Sequence, residues 1–171
     1  INYDISVPRD ANVSCTNRLG DTIVHGVGGN VSVDSTLGRV ELRDLAKPVK
    51  VQAQGGSQPL FAYGLRQGGE FKLRDMQAEF VQVAGALVVS NFMGKVTVRE
   101  LAPECRIQAS SMGGPIEVHL SQNDRPYIEA IALYGEIASD LEMNRTPRRN
   151  VVEARSLNAK SPQQLRLDTT F

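Results

Sequence analysis

Apolar and polar residues alternate along most of the chain, in short runs that return to one arrangement. Residues 13–20 read VSCTNRLG, 31–38 VSVDSTLG, 87–94 LVVSNFMG and 128–135 IEAIALYG, with a shifted copy, IQASSMGG, at 107–114. In each, apolar positions alternate with polar ones, a short polar link follows, and a large apolar residue precedes glycine. The final run, LRLDTTF at 165–171, repeats the start of that motif and stops where the glycine belongs, so the C-terminus is expected to fall within a repeat. Past each glycine the alternation resumes. Positions +2, +4 and +7 are Val40, Leu42 and Leu45 after Gly38, Phe71, Leu73 and Met76 after Gly69, and Val96, Val98 and Leu101 after Gly94. Gly20 is followed at the same places by Thr22, Val24 and Val27, and Gly114 by Ile116 and Val118. A period of two marks strands with one buried face, and the jump from +4 to +7 predicts a corner between them.

Glycine spacing turns this pattern into architecture. Gly20, Gly38 and Gly56 are 18 apart, Gly94 and Gly114 are 20 apart, and Gly114 and Gly135 are 21 apart. The gap of 38 from Gly56 to Gly94 holds two turns, and Gly135 to the position after the last residue holds two more. A sandwich has no reason to keep a glycine-anchored register, whereas a solenoid stacks each coil on the one before and must. The pattern therefore predicts an all-β fold. The expected architecture is a single-stranded β-helix (β-solenoid) of roughly eight short coils of about 18–21 residues, each rising about 4.8 Å; a right-handed winding is expected, although the pattern does not set the hand. Residues 1–171 form that one domain. Two stretches depart from the pattern. About 56–86, with its glycine pairs and Pro59, reads as an irregular insertion; about 142–162, with Arg145, Arg148 and Arg149, reads as a protruding loop around a strand at 151–155. The segment from Ala130 to Met143 also has helical apolar spacing, but the register of Gly135 favours a strand. Val33, Leu42, Val89 and Val98 are expected inside, and Arg43, Arg74 and Arg99 in one exposed row.

Composition narrows the partners. The 171 residues carry 19 basic and 19 acidic side chains, a formal net charge of zero. That balance removes the electrostatic case for a nucleic-acid or anionic-membrane binder. No run approaches the roughly 20 apolar residues of a membrane-spanning helix, so no direct membrane insertion by this segment is expected. The first residue is Ile and no charged-then-apolar leader precedes it, which reads as a mature or excised segment. Cys15 and Cys105 are 90 positions apart, and two cysteines alone make neither a zinc site nor a disulfide framework. They read as small apolar core residues.

The opening YDISVPRDANV at 3–13, joined to the recurring VSVDS and G-x-V-x-[LV]-x-x-[LV] units, resembles a bacterial adhesin-like domain family of unassigned function. The resemblance runs over nearly the whole chain. It implies a single-stranded β-helix in envelope or secreted proteins, and it brings no catalytic residues. Many members carry S-x-N-G-D at the corner, whereas Leu19-Gly20, Leu37-Gly38 and Met93-Gly94 are apolar there, and only Gly20-Asp21 keeps the acidic follower. A polar or ion-binding ladder at those corners is therefore not expected.

β-Helices also host polysaccharide lyases and hydrolases, whose chemistry needs carboxylates converging in a cleft, often with Arg or a hard metal. One array is visible. Arg43-Asp44, Arg74-Asp75 and Arg99-Glu100 fall at +5 and +6 from their glycines, with His25 and His119 at +5 in flanking coils. This reads first as a charge-compensated surface ladder, with an anionic-glycan strip and a catalytic site as rivals. No Tyr or Phe is expected beside it. His25 and His119 stand five coils apart, roughly 24 Å, too far to share a metal. Arg145, Arg148 and Arg149 read as a solvated loop, with grip on a phosphate or acidic partner as the rival. No serine–histidine–acid set, phosphate loop, dinucleotide turn or EF-hand is present in the sequence, and no cofactor or metal is expected. The expected function is a noncatalytic bacterial envelope-associated structural or interaction domain, an adhesin, binding a protein or an envelope polymer. The alternatives are a β-helix polysaccharide lyase or hydrolase, and a solenoid module that associates end to end.

Overall fold

Alternation at period two becomes two parallel sheets wound by one chain. The structure, a computed structural model, describes residues 4–55, 58–121, 124, 126–133, 138–139, 141–148, 150–158 and 160–170. Odd-numbered strands form one sheet: β1 (Val13–Asn17), β3 (Val31–Thr36), β5 (Val49–Gln54), β7 (Gly68–Arg74), β9 (Ala86–Asn91) and β11 (Arg106–Met112). Even-numbered strands form the facing sheet: β2 (Thr22–His25), β4 (Val40–Leu45), β6 (Leu60–Leu65), β8 (Ala78–Val83), β10 (Val96–Leu101) and β12 (Ile116–His119). Each coil thus contributes one strand to each sheet. The chain is all-β, a β-solenoid, and five turns carry it from β1 to β11.

The inward columns explain why the coils stack. Val13, Val31, Val49, Gly69, Leu87 and Ile107 occupy equivalent places, in steps of 18, 18, 20, 18 and 20 residues. Val33, Leu42, Val89 and Val98 are all buried, as their inward positions require. At mid-length Phe71 of β7 meets Phe80 of β8 edge-on, ring centroids 4.7 Å apart, bridging the two sheets inside one coil. The predicted corner between +4 and +7 is a single left-handed residue at +6. Gly26, Asp44, Gly64, Gln82 and Glu100 all have φ between 52° and 71° there, so the +4 and +7 residues, such as Leu42 and Leu45, both point inward.

At the other corner a Cβ on Gly38 would run into the Gly20 carbonyl, and one on Gly114 into the Gly94 carbonyl. The stacked main chains leave no room for a side chain. Three positions before two of these glycines stands an asparagine. The buried Asn91 amide donates to the Met76 and Gly94 carbonyls, both at 3.0 Å, and Asn17 donates to the Gly20 carbonyl at 3.0 Å.

Four expectations need correction. The coils number about five turns, not roughly eight, because after β12 the chain leaves the coil path. Strands β13 (Tyr127–Leu133), β14 (Met143–Arg148), β15 (Val151–Ser156) and β16 (Gln164–Thr170) extend the odd sheet alone, in the order β11-β16-β13-β15-β14. β16 lies parallel between β11 and β13, while β15 runs antiparallel to β13 and to β14. The expected protruding loop at 142–162 is therefore mostly the β14–β15 hairpin. The expected insertion at 56–86 holds β6, β7 and β8, each in register with its neighbours, lengthened only by a 20-residue step. Gly69 is not a corner residue: it pairs with Val49 and Leu87 inside β7. Gly56, Tyr134, Gly135, Arg149 and Phe171 lie outside the described residues.

Candidate functional site

The outward side chains of the even sheet form columns that run along the solenoid axis. One column is His25, Arg43, Tyr63, Val81, Arg99 and His119. Beside it, two residues earlier in each strand, stand Ile23, Glu41, Phe61, Glu79, Thr97 and Glu117. On the other side lies the left-handed column that contains Asp44 and Glu100. Acid, base and acid columns alternate, as successive residues of a strand and its corner dictate.

The single row of arginines does not exist. Arg43 and Arg99 share a column, with His25 and His119 at its ends, but Arg74 ends β7 of the odd sheet, where it pairs with Gln54, and Asp75 is the left-handed residue just past that strand. Counting from Gly69 placed β7 with the wrong sheet, since Phe71 and Leu73 align with Val51 and Ala53, not with Val40 and Leu42. Arg74 instead stacks over the exposed Phe92 ring, 5.3 Å from its centroid.

The ion pairs also differ from the sequence neighbours. Arg43 bonds Glu41, two residues back on its own strand, and Glu41 holds Arg39 at 3.5 Å. Asp44 takes His25 Nε2 at 3.0 Å from the preceding coil. Arg99 faces Glu79 at 3.5 Å, and Glu117 takes Lys95 at 2.7 Å and His119 at 3.6 Å. The hydrogen bond from Lys95 is the main reason the Glu117 carboxyl is lowered from its ordinary value; desolvation opposes it, and the charge of Lys95 and then His119 lower it further. Apart from Glu41, whose side chain is 13% exposed, these partners are well exposed, and each exposed pair contributes under about 1 kcal/mol to stability.

Aromatic rings stand in the middle of this face, against expectation. Tyr63 occupies the basic column between Arg43 and Val81, and Phe61 sits between Glu41 and Glu79. Both are half-buried, and the Arg43 guanidinium lies over the Phe61 ring, 5.8 Å from its centroid. The 20-residue step that brings β6 beside β4 puts them there; counting in steps of 18 misses it. Asn17 and Asn91 were also missed, although an asparagine three residues before glycine recurs in the quoted motifs.

Comparison with protein-family models, curated proteins and solved structures found no match. The winding is that of a β-solenoid. Among the described residues no three His, Cys, Asp or Glu side chains gather as a metal-holding group, and no helix is long and apolar enough to cross a membrane. Cys105 is buried and its thiol is pushed up to about 11 by that burial, while Cys15 on the first coil is half-buried; both are free.

Proposed function

We propose that this chain is a noncatalytic interaction domain, a bacterial adhesin module at the cell envelope, that presents the outer face of the even sheet to a partner protein or envelope polymer. The observation that carries this reading is the Phe61–Tyr63 pair at the centre of a face whose cations Arg43, Arg99, His25 and His119 are each paired with a carboxylate. An aromatic centre inside a polar, charge-satisfied rim is the anatomy of a protein recognition surface, where the rings supply binding energy and the rim excludes water. Arg43, held by Glu41 and lying over Phe61, is pre-ordered for such contact. Envelope placement is supported by the family resemblance of the opening residues.

Co-sedimentation of the domain with bacterial envelope fractions, at low and physiological salt, tests it. Binding is expected at both salts, and Phe61→Ala with Tyr63→Ala should weaken it about tenfold or more. Arg43→Ala with Arg99→Ala should weaken it less and mainly at low salt. Retention that ignores all four substitutions would remove this face from the function. The rival reading, a lyase or hydrolase on the same coils, predicts new reducing or unsaturated ends when acidic polysaccharides are incubated with the domain. Product formation that depends on Arg43 or Arg74 would replace the interaction reading with an enzymatic one.

A further inference from the structure

The odd sheet carries a second surface of different character. Across its outer face, over β9, β11, β16 and β13, runs an open groove of about 310 Å³. Two rows of side chains line it, set by register: Ala86, Arg106, Gln164 and Tyr127 in one, Val88, Gln108, Arg166 and Glu129 in the other. Ala86 and Val88 are short, which opens the groove at the β9 end. Four strands at about 4.8 Å give it a length of roughly 14 Å along the solenoid axis.

What separates this groove from the even-sheet face is unspent hydrogen-bonding capacity. There, Arg39, Arg43, Lys95, Arg99 and both histidines are paired with carboxylates. Here, Arg166 is held by Asp168 at 3.3 Å and Glu129 by Arg155 at 2.9 Å, but among the described residues the side chains of Arg106, Gln108, Gln164 and Tyr127 have no hydrogen-bond or ion-pair partner. The groove therefore holds one uncompensated guanidinium, two primary amides, each with donor and acceptor, and a phenol beside a half-buried ring.

We infer that this groove binds an anionic saccharide. Arg106 pairs with its carboxylate or sulfate, Gln108 and Gln164 exchange hydrogen bonds with its hydroxyls, and Tyr127 packs against a ring. Guanidinium is the group suited to two-point recognition of such an anion, and amides suit vicinal hydroxyls because they donate and accept. An acidic peptide fits less well. All four strands lie inside the sheet, their main-chain groups consumed by their neighbours, so an extended peptide finds no edge to join. The inference rests on the interaction reading above and names a partner class for it, at a separate site.

Calorimetric titration of the whole chain tests it with four probes of matched length: an alginate oligomer, a dextran sulfate oligomer, neutral dextran and poly-glutamate. Saturable binding of alginate or dextran sulfate is expected, with dextran and poly-glutamate at least tenfold weaker; the better anion identifies the charged group. Arg106→Ala should weaken binding by about tenfold or more, and Arg106→Lys, which keeps the charge and loses the fork, by an intermediate factor. Arg106 is exposed, so both variants should unfold with the wild-type midpoint, and Gln108→Ala serves as a second groove variant that leaves charge unchanged. The inference is overturned by failure of both anionic oligomers to bind, by equal binding of dextran or poly-glutamate, or by affinity indifferent to Arg106 and Gln108. Anion binding that falls instead with Arg43→Ala also overturns it, yet leaves the domain a binder through its even-sheet face.

Discussion

The coils from β1 to β12 and the later strands β13 and β16 are built from the same inward motif, yet they solve different packing problems. In the coils, each inward column meets a facing sheet. Of the fully buried phenylalanines and leucines, Phe71, Phe80, Leu42, Leu45, Leu60, Leu65 and Leu87 lie there, and Leu165 alone lies beyond β12. Beyond β12 the facing sheet has no further strand among the described residues, and the buried apolar side chains there are only Ile128, Ala130, Ala154 and Leu165. Pairing in the coils joins residues 18 or 20 apart, whereas β16 reaches β11 across 58 residues and β13 across 37. A motif repeated in sequence thus guarantees a strand with a given face inward. It does not guarantee where that strand is placed.

The contrast is sharpest for core truncation, which carries the largest expected effects. Phe71→Ala empties the coil interior and removes the edge-on contact with Phe80; it should cost about 3–5 kcal/mol in urea unfolding and reduce amide-exchange protection in every coil. Leu165→Ala should cost about 2–3 kcal/mol, with lost protection confined to β11, β13, β15 and β16. Equal loss of protection throughout β1–β10 on Leu165→Ala would mean that the two regions unfold as one unit.

Two glycines at the two kinds of corner give the next contrast. Ala at 38 places its methyl against the Gly20 carbonyl of the coil before, so the stacked main chains must separate, and a loss above about 2 kcal/mol is expected. Ala at 26 meets nothing within 4 Å and carries only the strain of its φ of 71°, about 1 kcal/mol. Thermal midpoints of the two variants decide it. Similar losses would show that conformational strain, not the closeness of successive coils, is what glycine relieves here.

These cases also show what was legible in the chain. Inward positions were legible wherever alternation at period two held, which is why Val33, Leu42, Val89 and Val98 were placed correctly and why the LRLDTTF run proved to be a strand with the same inward face as β11 and β13. Glycine spacing gave the coil length but failed at 56–86, because a 20-residue step and a glycine inside β7 shifted the frame. That one shift hid both features of the candidate face: it added Arg74 to a row it does not join, and it kept Phe61 and Tyr63 out of a face they centre. The position of β16 was illegible for a different reason. Three strands, at 107, 128 and 165, carry interchangeable inward residues, and only the packing of the finished sheet orders them.

The cysteines compare a first coil with an interior one. Cys105 is fully buried, and burial holds its thiol near 11 against 9.0 for a free one. Between those values the folded state keeps a proton that the unfolded chain has lost. Stability from this residue is therefore complete below about pH 9 and declines as pH rises toward about 11, by no more than about 3 kcal/mol at 1.36 kcal/mol per unit. Comparing unfolding of the wild type and Cys105→Ala from pH 8 to 11 isolates the slope. In the native state a thiol reagent should label Cys15 fast and Cys105 only at the rate of opening. Equal labelling rates would place the opening of an interior coil at the same cost as fraying of the first.

Asparagine at the corner gives the smallest difference and the finest test of the same comparison. Asn91 and Asn17 stand at the same register position and make the same bond to the carbonyl of the glycine three residues on, but they differ in burial and in their remaining bonds: the Asn17 Oδ1 accepts from the Leu19 N–H, while the Asn91 Oδ1 is buried without a partner. Asn91 is 2% exposed and also satisfies the Met76 carbonyl of the neighbouring coil, which without it faces no water. Asn91→Ala should therefore cost about 1–2 kcal/mol, the penalty for a carbonyl left unpaired inside. The Asn17 bonds to Gly20 and Asp21 lie at the exposed first corner, where water replaces the amide, so Asn17→Ala should cost under about 1 kcal/mol. Measured midpoints in the reverse order would mean that the first coil, not the middle of the stack, limits the stability of the solenoid, because closing the first corner would then be the step on which every later coil depends.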